Sequence, residues 1–269
     1  MQTVSLKVWG EYALFSRPDL KVERLSYPVM TPSAARGVLD AILFRPQMRW
    51  HIRRITVLQP EFPIGYPEQL KNRHYRLMGV RRNEIQGKVS TRKVEAWMKN
   101  PAEATPYLVD SAGRTGPQGE NRTQRNSMIL HHVAYRIDAT PILTGKANQP
   151  RNYHVEDEPE GPDTPIKYAE MFRRRARKGQ YFHAPYFGCR EFVCRFAEPK
   201  DTEAVLTNWT ESLGLMLYDI QYGKNDRNRP GFFQANITEG VLHCDSAAPG
   251  PNGEPPVQVI GWAESGATP

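Results

Sequence analysis

Two helices that each begin at a Thr-Pro pair, set among strand-like segments, are the feature that most restricts how this chain can fold. TPSAARGVLDAILF begins at Thr31 and TPIKYAEMF begins at Thr164. Threonine is a good N-cap and proline fits the first helical position, so both sites predict a helix start. We expect helices at about 32–44 and 166–179, the second ending at Gly179, which suits the left-handed position after a helix.

Strand-like patterns lie on both sides of these helices. QTVSLKVW (2–9) alternates polar and apolar residues, and MRWHIRRITVLQP (48–60) is rich in β-branched and aromatic residues with a slip in spacing that predicts a bulge. SMILHHVAYRIDATPIL (127–143) and CREFVCRF (189–196) also predict strands. The order strand, helix, strand, strand, helix, strand is that of a ferredoxin-like domain, a type that includes the RRM class of RNA binders.

Two further regions extend this unit. Residues from about 61 to 125 are basic, polar and punctuated by Gly and Pro, and we interpret them as an insertion. Beyond it, LGLMLYDIQY, GFFQANITEG and PVQVIGWAE predict three strands. We therefore predict an α+β chain with a ferredoxin-like (RRM-type) domain at 1–197, which carries the long basic insertion, and a small antiparallel β domain at 198–269 with a flexible C-terminal tail.

Positive charge is concentrated in part of the chain. The formal net charge is +7, yet residues 71–99 alone carry nine Lys or Arg against two acids, Glu84 and Glu95. From 197 to 269 there are ten acids against four bases. Concentrated positive charge raises the affinity for a phosphate backbone and steers its approach, so nucleic acid is the leading class of partner.

The predicted second helix carries the densest cationic run. IKYAEMFRRRARKGQYF (166–182) places five cations within six positions, at Arg173, Arg174, Arg175, Arg177 and Lys178. A groove for a polyanion and a solvated surface are both consistent with this run. Because a helix cannot point all of these side chains one way, we expect about two to contact a polyanion and the others to be solvated or salt-bridged.

The sequence gives little support for a metal site, a disulfide framework, a cofactor site or a membrane segment. Cys189, Cys194 and Cys244 match neither a zinc nor a disulfide spacing and are predicted to be small buried hydrophobes. The sequence has no Walker-type loop and no His-Glu-x-x-His run, so we predict no metal and no cofactor. It also lacks an apolar run of the ~18 residues that a membrane helix needs, and the expected location is the cytoplasm with no membrane contact.

Five segments follow one another along the chain: WGEYALFSRP, YPVMTPSAARGVLDAI, NRTQRNSMIL, KYAEMFRRRARKGQ and GCREF. Together they resemble the fifth CRISPR-associated (Cas) family in its subtype I-C form, a member of the RAMP superfamily, and the resemblance spans most of residues 3–235. It implies a metal-independent endoribonuclease that cleaves CRISPR repeat RNA and retains the 5′ handle of the mature crRNA in the type I-C surveillance complex. The alternative is a non-catalytic subunit that only binds the handle. Implied protein partners are the backbone and large subunits, and charge alone adds non-specific duplex DNA.

The implied reaction is attack of a ribose 2′-OH on the adjacent phosphate, which leaves a 2′,3′-cyclic phosphate and a 5′-OH. It requires a base, an acid and a cation near the phosphate. In the family these roles fall to a Tyr of the first helix and a Lys-His pair at the start of the second, and the matching positions here are Leu43 and Lys167-Tyr168. We predict Lys167 and Tyr168 as catalytic residues. The base stays open among Tyr168 and the histidines His183, His154 and His51, and weak activity is a further alternative.

Predicted RNA contacts come from three parts of the chain. They are Arg36 of the first helix, Arg122 and Arg125 before a strand, and Arg173, Arg174 and Arg177 of the second helix. The basic stretch 71–99 is interpreted as an arm that clamps the guide RNA or contacts a neighbouring subunit. The aromatic run of Tyr181, Phe182, Tyr186 and Phe187 is expected to pack in the core rather than to stack on bases.

Overall fold

Nine strands in the described part of the chain form one sheet, as seen in a computed structural model of the protein. The structure describes residues 2–20, 23–85, 90–104, 122–149, 161–222, 228–250 and 253–262. The strands are β1 (Val4–Ala13), β2 (Arg24–Leu25), β3 (Met48–Val57), β4 (Leu77–Ile85), β5 (Arg122–Leu143), β6 (Arg195–Ala197), β7 (Glu211–Gln221), β8 (Arg229–Thr238) and β9 (Val241–His243). The helices are α1 (Pro32–Ile42), α2 (Glu68–Lys71), α3 (Thr91–Lys99) and α4 (Pro165–Arg177), with a 3-10 turn at Pro101–Glu103.

The main path of the sheet runs β6-β1-β5-β3-β9-β8-β7, and β2 and β4 both pair with β5. The pairing is antiparallel throughout except between β2 and β5. Helix α1 packs against β3 and β7, while α4 packs against β1, β5 and β6. The fold is therefore a mostly antiparallel sheet with few helices.

Both Thr-Pro predictions are confirmed. Thr31 accepts a hydrogen bond at Oγ1 from the Ala34 N–H at 3.3 Å, and Thr164 accepts one from the Lys167 N–H at 3.1 Å. Each bond satisfies one of the N–H groups that a helix start leaves without a partner. Gly179 has φ +63°, the left-handed conformation expected after α4.

The core lies between the two capped helices and the sheet. Val4, Leu6 and Val8, at alternate positions of β1, are at most 1% exposed. Trp50 of β3 meets Phe172 of α4 edge-on, with ring centroids 4.9 Å apart. The same hydrophobic cluster continues into β7 and β8. Burying each of these side chains contributes on the order of 2 kcal/mol, so this cluster is the main source of stability.

Most of the strand predictions are confirmed, with shifted ends. β1 continues past residue 9 to Ala13, and β5 begins at Arg122, before the predicted start. The predicted bulge in β3 is present, because its register with β5 shifts between Ile52 and Arg54. Sequences of alternating polarity thus identified the central strands, while pairing with distant segments decided their ends.

Two predicted strands are wrong over most of their length. In CREFVCRF only the last residues belong to β6, because the chain turns back after Gly188 and the Phe187 N–H bonds to the Phe192 carbonyl at 2.8 Å. In PVQVIGWAE the described part holds one isolated bridge, Phe232 with Ile260. The third strand of that region is β9 instead.

The predicted insertion contains regular structure. β4 pairs with the first half of β5 from Leu77↔Leu130 to Ile85↔Arg122, and α3 follows β4. Residues 105–121 lie outside the described residues. Strands β7 to β9 join the sheet through the pairing of β9 with β3. The division into domains at 197/198 stays a prediction.

The cysteines behave as predicted. Cys189, Cys194 and Cys244 are buried thiols, and burial raises the pKa of both Cys194 and Cys244. Within the ranges that the structure describes, we find no group of three His, Cys, Asp or Glu side chains placed to hold a metal ion. Those ranges also contain no helix long and apolar enough to cross a membrane.

A pair of glycine substitutions tests the turn that replaces the predicted strand. Gly188 has φ +79°, and an added Cβ would lie 1.9 Å from the Leu14 carbonyl oxygen. Gly188→Ala should lower the free energy of unfolding by roughly 2–3 kcal/mol. Gly37, in α1, has open space around it, so Gly37→Ala should raise it by up to about 1 kcal/mol. Urea denaturation measures both, and a Gly188→Ala variant as stable as wild type would contradict the structure of this turn.

Candidate functional site

The first turn of α4 brings Lys167 and Tyr168 to one buried carboxylate. Lys167 Nζ lies 3.6 Å from Asp163 Oδ1 and 3.4 Å from the Gly161 carbonyl oxygen. The Tyr168 hydroxyl donates to the same Asp163 oxygen at 2.6 Å. The Tyr168 side chain is fully buried, and that of Lys167 is 9% exposed. Asp163 therefore fixes both predicted catalytic side chains, and it fixes Tyr168 from inside the core.

Asp163 is in turn held by the turn that follows β5. The Asn148 N–H donates to Asp163 Oδ2 at 2.8 Å, and the Asp163 N–H donates to Asn148 Oδ1 at 2.7 Å. A buried carboxylate that accepts this many hydrogen bonds is fixed in position. The ammonium of Lys167 is consequently fixed at the positive end of the α4 dipole, a place suited to an anion.

The other family position has no hydroxyl group. Leu43, the residue that ends α1, is 1% exposed, and its carbonyl oxygen accepts a hydrogen bond from Trp50 Nε1 at 3.1 Å. The neighbouring Phe44 is 56% exposed. The loop after α4 is hydrogen-bonded to the end of α1, since the Phe182 N–H donates to the Ala41 carbonyl at 2.8 Å.

The three histidines considered as bases differ in their surroundings. His183 is exposed on the loop after α4, with its ring centroid 6.0 Å from that of Phe182. His51 lies on β3, is 9% exposed, and its Nε2 is 2.9 Å from Asp245 Oδ1. His154 lies outside the described residues.

The cations of α4 do not share one face. Arg173 donates to the Thr3 carbonyl, Arg175 donates to the Ile42 carbonyl and Arg177 donates to the Glu198 carboxylate. Arg174 and Lys178 are exposed. Contact of Arg173, Arg174 or Arg177 with RNA stays a prediction, and the exposed helix surface that carries Arg174 is accessible to a polyanion.

Arg36 is the centre of a partly buried ion network. It donates to both Asp219 oxygens at 2.9 Å and to Asp40 at 2.9 Å, and Arg49 also pairs with Asp219. Burial alone raises the pKa of Asp219, but the hydrogen bonds and charge of Arg36, with the charge of Arg49, hold that pKa below its usual value. Burial raises the pKa of Asp40 to about 6 despite Arg36. The network ties α1 to β7, and RNA contact by Arg36 stays a prediction.

The two remaining predicted RNA ligands lie on β5. Arg125 is half-buried in the part of β5 that pairs with β4. The backbone of Arg122 begins β5, and its side chain lies outside the described residues. Their contact with RNA stays a prediction.

The aromatic run after α4 only partly follows the prediction. Phe187 is fully buried and packs against Phe15 with ring centroids 6.0 Å apart. Phe182 is 82% exposed and Tyr181 is 50% exposed. The prediction of core packing is wrong for these two residues, because they lie in the loop before the chain returns to the sheet.

Sequence reasoning missed the three aspartates that hold these groups. Asp163 carried a local signal, since it precedes the Thr-Pro start of α4 and stands four residues before Lys167. Asp219 was a single acid in an otherwise apolar strand segment, a pattern typical of a buried ion pair. Asp245 had no local signal, because its partner His51 is 194 residues away.

Replacing Arg36 should lower the free energy of unfolding. Arg36→Ala removes the cation beside Asp40, and it leaves Asp219 with Arg49 but without Arg36. We therefore expect the free energy of unfolding to fall by about 3–5 kcal/mol. Arg174→Ala, at an exposed position of α4, should change it by less than about 0.5 kcal/mol. Chemical denaturation of the two variants compares them directly, and equal small changes would show that the network contributes little.

Asp40 should make the free energy of unfolding fall as pH rises, which is the reverse of the usual effect of a paired carboxylate. Its folded pKa of about 6 lies above the ordinary 3.8, so the unfolded state loses the proton first. The contribution of Asp40 to stability should therefore decrease as pH rises from about 4 to 6. Asp40→Asn should remove this part of the profile. Unfolding free energies measured across that pH range test it, and parallel profiles for the variant and wild type would contradict it.

Comparisons with known proteins agree on one family. The family described as "CRISPR-associated protein (Cas_Cas5)", in its Cas5d form, matches residues 3–245. A protein of Mannheimia succiniciproducens named "CRISPR pre-crRNA endoribonuclease Cas5d" is 39% identical over 89% of this chain and 93% of its own length. A protein of Thermus thermophilus with the same name is 36% identical over 90% of this chain and 91% of its own.

The fold has a solved counterpart. A crystal structure of a CRISPR-associated protein is 18% identical and superposes with a TM-score of 0.53 over 90% of each chain. At this identity the likeness concerns the fold alone. It is consistent with the mostly antiparallel sheet described above.

Proposed function

We propose, from the premise that this chain belongs to the Cas5 family of CRISPR-associated proteins in its subtype I-C form, Cas5d, that it is a pre-crRNA endoribonuclease. The two relatives that carry this name are 36% and 39% identical to it over about nine-tenths of the chain. The structural observation that carries the proposal is Lys167, held by Asp163 at the positive end of α4. A fixed cation there can stabilise the charge that develops on a phosphate during cleavage.

The proposed reaction uses the RNA as its own nucleophile. The ribose 2′-oxygen loses its proton to a base and bonds to the adjacent phosphorus, while the bond from phosphorus to the 5′-oxygen breaks and that oxygen takes a proton. The products are a 2′,3′-cyclic phosphate and a 5′-OH, and the scheme requires no metal ion. Only RNA has the necessary 2′-OH.

Lys167 and Tyr168 have different roles in this proposal. Lys167 is the cation that faces the phosphate. Tyr168 is a positioning residue, because its hydroxyl donates to Asp163, and Asp163 holds Lys167. Leu43 stands where the family has a tyrosine and Tyr168 where it has a histidine, so the base of this chain departs from the family pattern.

The RNA is proposed to lie along the exposed surface of α4, with Arg174 and its neighbours Arg173 and Arg177 contacting phosphates. We also assign the unit formed by β1, α1, β3, β5, α4 and β6 to the ferredoxin-like type. Its support is the chain order strand, helix, strand, strand, helix, strand and the sheet order β6-β1-β5-β3.

Assembly is a further part of the proposal. The chain would keep the 5′ handle of the mature crRNA and bind the backbone and large subunits of the type I-C complex in the cytoplasm. Family membership supports this. Non-specific binding of duplex DNA is a consequence of the net charge of +7 and should weaken steeply with salt.

Cleavage of the chain's own repeat RNA in excess EDTA tests the proposed activity. Under single-turnover conditions with saturating protein, Lys167→Ala should lower the rate constant by about 100-fold, as expected for loss of a group that stabilises the transition state. Lys178→Ala, at the other end of α4, should cleave at close to the wild-type rate.

The opposite result is equally informative. If the wild-type protein binds the repeat hairpin tightly but leaves it intact, the chain is a handle-binding subunit without catalytic activity. Cleavage that is unchanged in Lys167→Ala would retain the nuclease and remove this lysine from its mechanism.

A further inference from the structure

A cavity of about 270 Å³ lies beside the first half of β3. β9 pairs with β3 only at Arg54–Thr56 in the described register, so the edge of β3 before this point faces the cavity. Cationic, aromatic and titratable side chains line it together. Those used below are Arg36, Arg49, Trp50, His51 and Asp219.

His51 and Asp245 form a hydrogen-bonded pair at this cavity. His51 Nε2 is 2.9 Å from Asp245 Oδ1, and the Asp245 side chain is 3% exposed. The same carboxylate pairs with Arg53 and accepts hydrogen bonds from the N–H groups of Ala247 and Ala248 at 2.8 and 3.2 Å. Such a carboxylate is fixed in position and can orient an imidazole ring.

The ionisation of Asp245 determines which nitrogen of His51 carries the proton. Burial alone raises the pKa of Asp245, but the hydrogen bonds from His51 and Ala247 and the charge of Arg53 hold that pKa below its usual value. An ionised carboxylate only accepts, so Nε2–H of His51 is the donor. The lone pair of the neutral ring is then on Nδ1, where it can accept a proton.

Hydrogen bonds link the walls of the cavity to both positions that the family uses for catalysis. Thr144 and Gly145 line it, and Asn148 of the same turn bonds to the Asp163 that holds Lys167. On the other side, Trp50 lines the cavity and donates its indole N–H to the carbonyl of Leu43, the residue at the family's tyrosine position.

We propose that His51 is the general base of RNA cleavage in this chain, oriented by Asp245 as a positioning residue, with the reacting phosphodiester between Lys167 and this cavity. This inference rests on the proposed endoribonuclease function. His51 Nδ1 takes the proton of the 2′-OH as the bond from that oxygen to phosphorus forms. The bond to the 5′-oxygen breaks, that oxygen takes a proton from water, and the imidazolium later returns its proton to solvent.

Charged and titratable side chains surround His51 on several elements of the fold. The charged and titratable neighbours are Asp245 after β9, Arg49 and Arg53 on β3, Tyr218 and Asp219 on β7, and Arg36 on α1. Because the neutral imidazole is the active form, the single-turnover rate constant should rise with pH and then level off.

The first test compares histidine variants on repeat RNA in EDTA. His51→Ala and His51→Gln should each lower the single-turnover rate constant by at least about 100-fold, the contribution expected of a general base. Binding of an RNA with a 2′-deoxy at the cut site should stay within about twofold. Added imidazole should restore part of the activity of His51→Ala. His183→Ala, at an exposed position, is the matched control and should cleave like wild type.

A second variant separates positioning from packing. Asp245→Asn should slow cleavage less than His51→Ala does, and it should shift the rising part of the pH–rate profile, which a loss of stability alone would not do. Thermal unfolding of each variant shows whether it is folded at the assay temperature.

Outcomes for this inference differ from those for the proposed function. Wild-type cleavage with unchanged rates in both His51 variants would overturn the inference and leave the nuclease intact. A wild-type pH–rate profile without a rising part would also overturn it. A wild-type protein that never cleaves its repeat RNA would instead remove the proposed function itself.

Discussion

The apolar packing of α1 and α4 on the sheet is the constraint on which the rest of the structure depends. Side chains such as Leu6 and Phe172 leave no room there for an unpaired charge, because burying one costs several kcal/mol. Charged groups are therefore confined to the margins of this core, where they can be paired. Three aspartates at these margins fix the cations and the histidine that the proposed chemistry needs.

Each of these aspartates joins two parts of the chain. Asp163 joins the start of α4 to the turn after β5, Asp219 joins β7 to α1 and β3, and Asp245 joins the segment after β9 to β3. The pKa values of Asp219 and Asp245 lie below their ordinary value, so their stabilising contribution is present above about pH 4 and is lost as pH falls through the folded pKa. The same pairs that stabilise the fold thus fix positive charge and an imidazole in position.

Local signals in the sequence were sufficient for α1, α4 and the central strands. A Thr-Pro start satisfies N–H groups within one turn, and alternation along β1 follows from a sheet with one buried face. The strand prediction for CREFVCRF was wrong because an alternating pattern carries no information about the turn after Gly188, which depends on a contact with Leu14.

The candidate site was harder to predict from the sequence, because most of its paired residues are far apart along the chain. Lys167 and its partner Asp163 are four residues apart, so this part was within reach of a local pattern. Arg36 and Asp219 are 183 residues apart, and His51 and Asp245 are 194 apart. Only the folded sheet brings these pairs together, which is why neither Asp219 nor Asp245 was predicted from the sequence.

The most direct measurement of the central claim uses a repeat RNA with a single 2′-deoxy sugar at the cut site, incubated with the wild-type protein in excess EDTA beside the all-ribose RNA. Attack by the 2′-OH predicts that both RNAs bind equally well and that only the all-ribose RNA is cut, leaving a 2′,3′-cyclic phosphate. Cleavage of the deoxy-containing RNA at the same bond would contradict this chemistry, because the nucleophile would then come from outside the RNA.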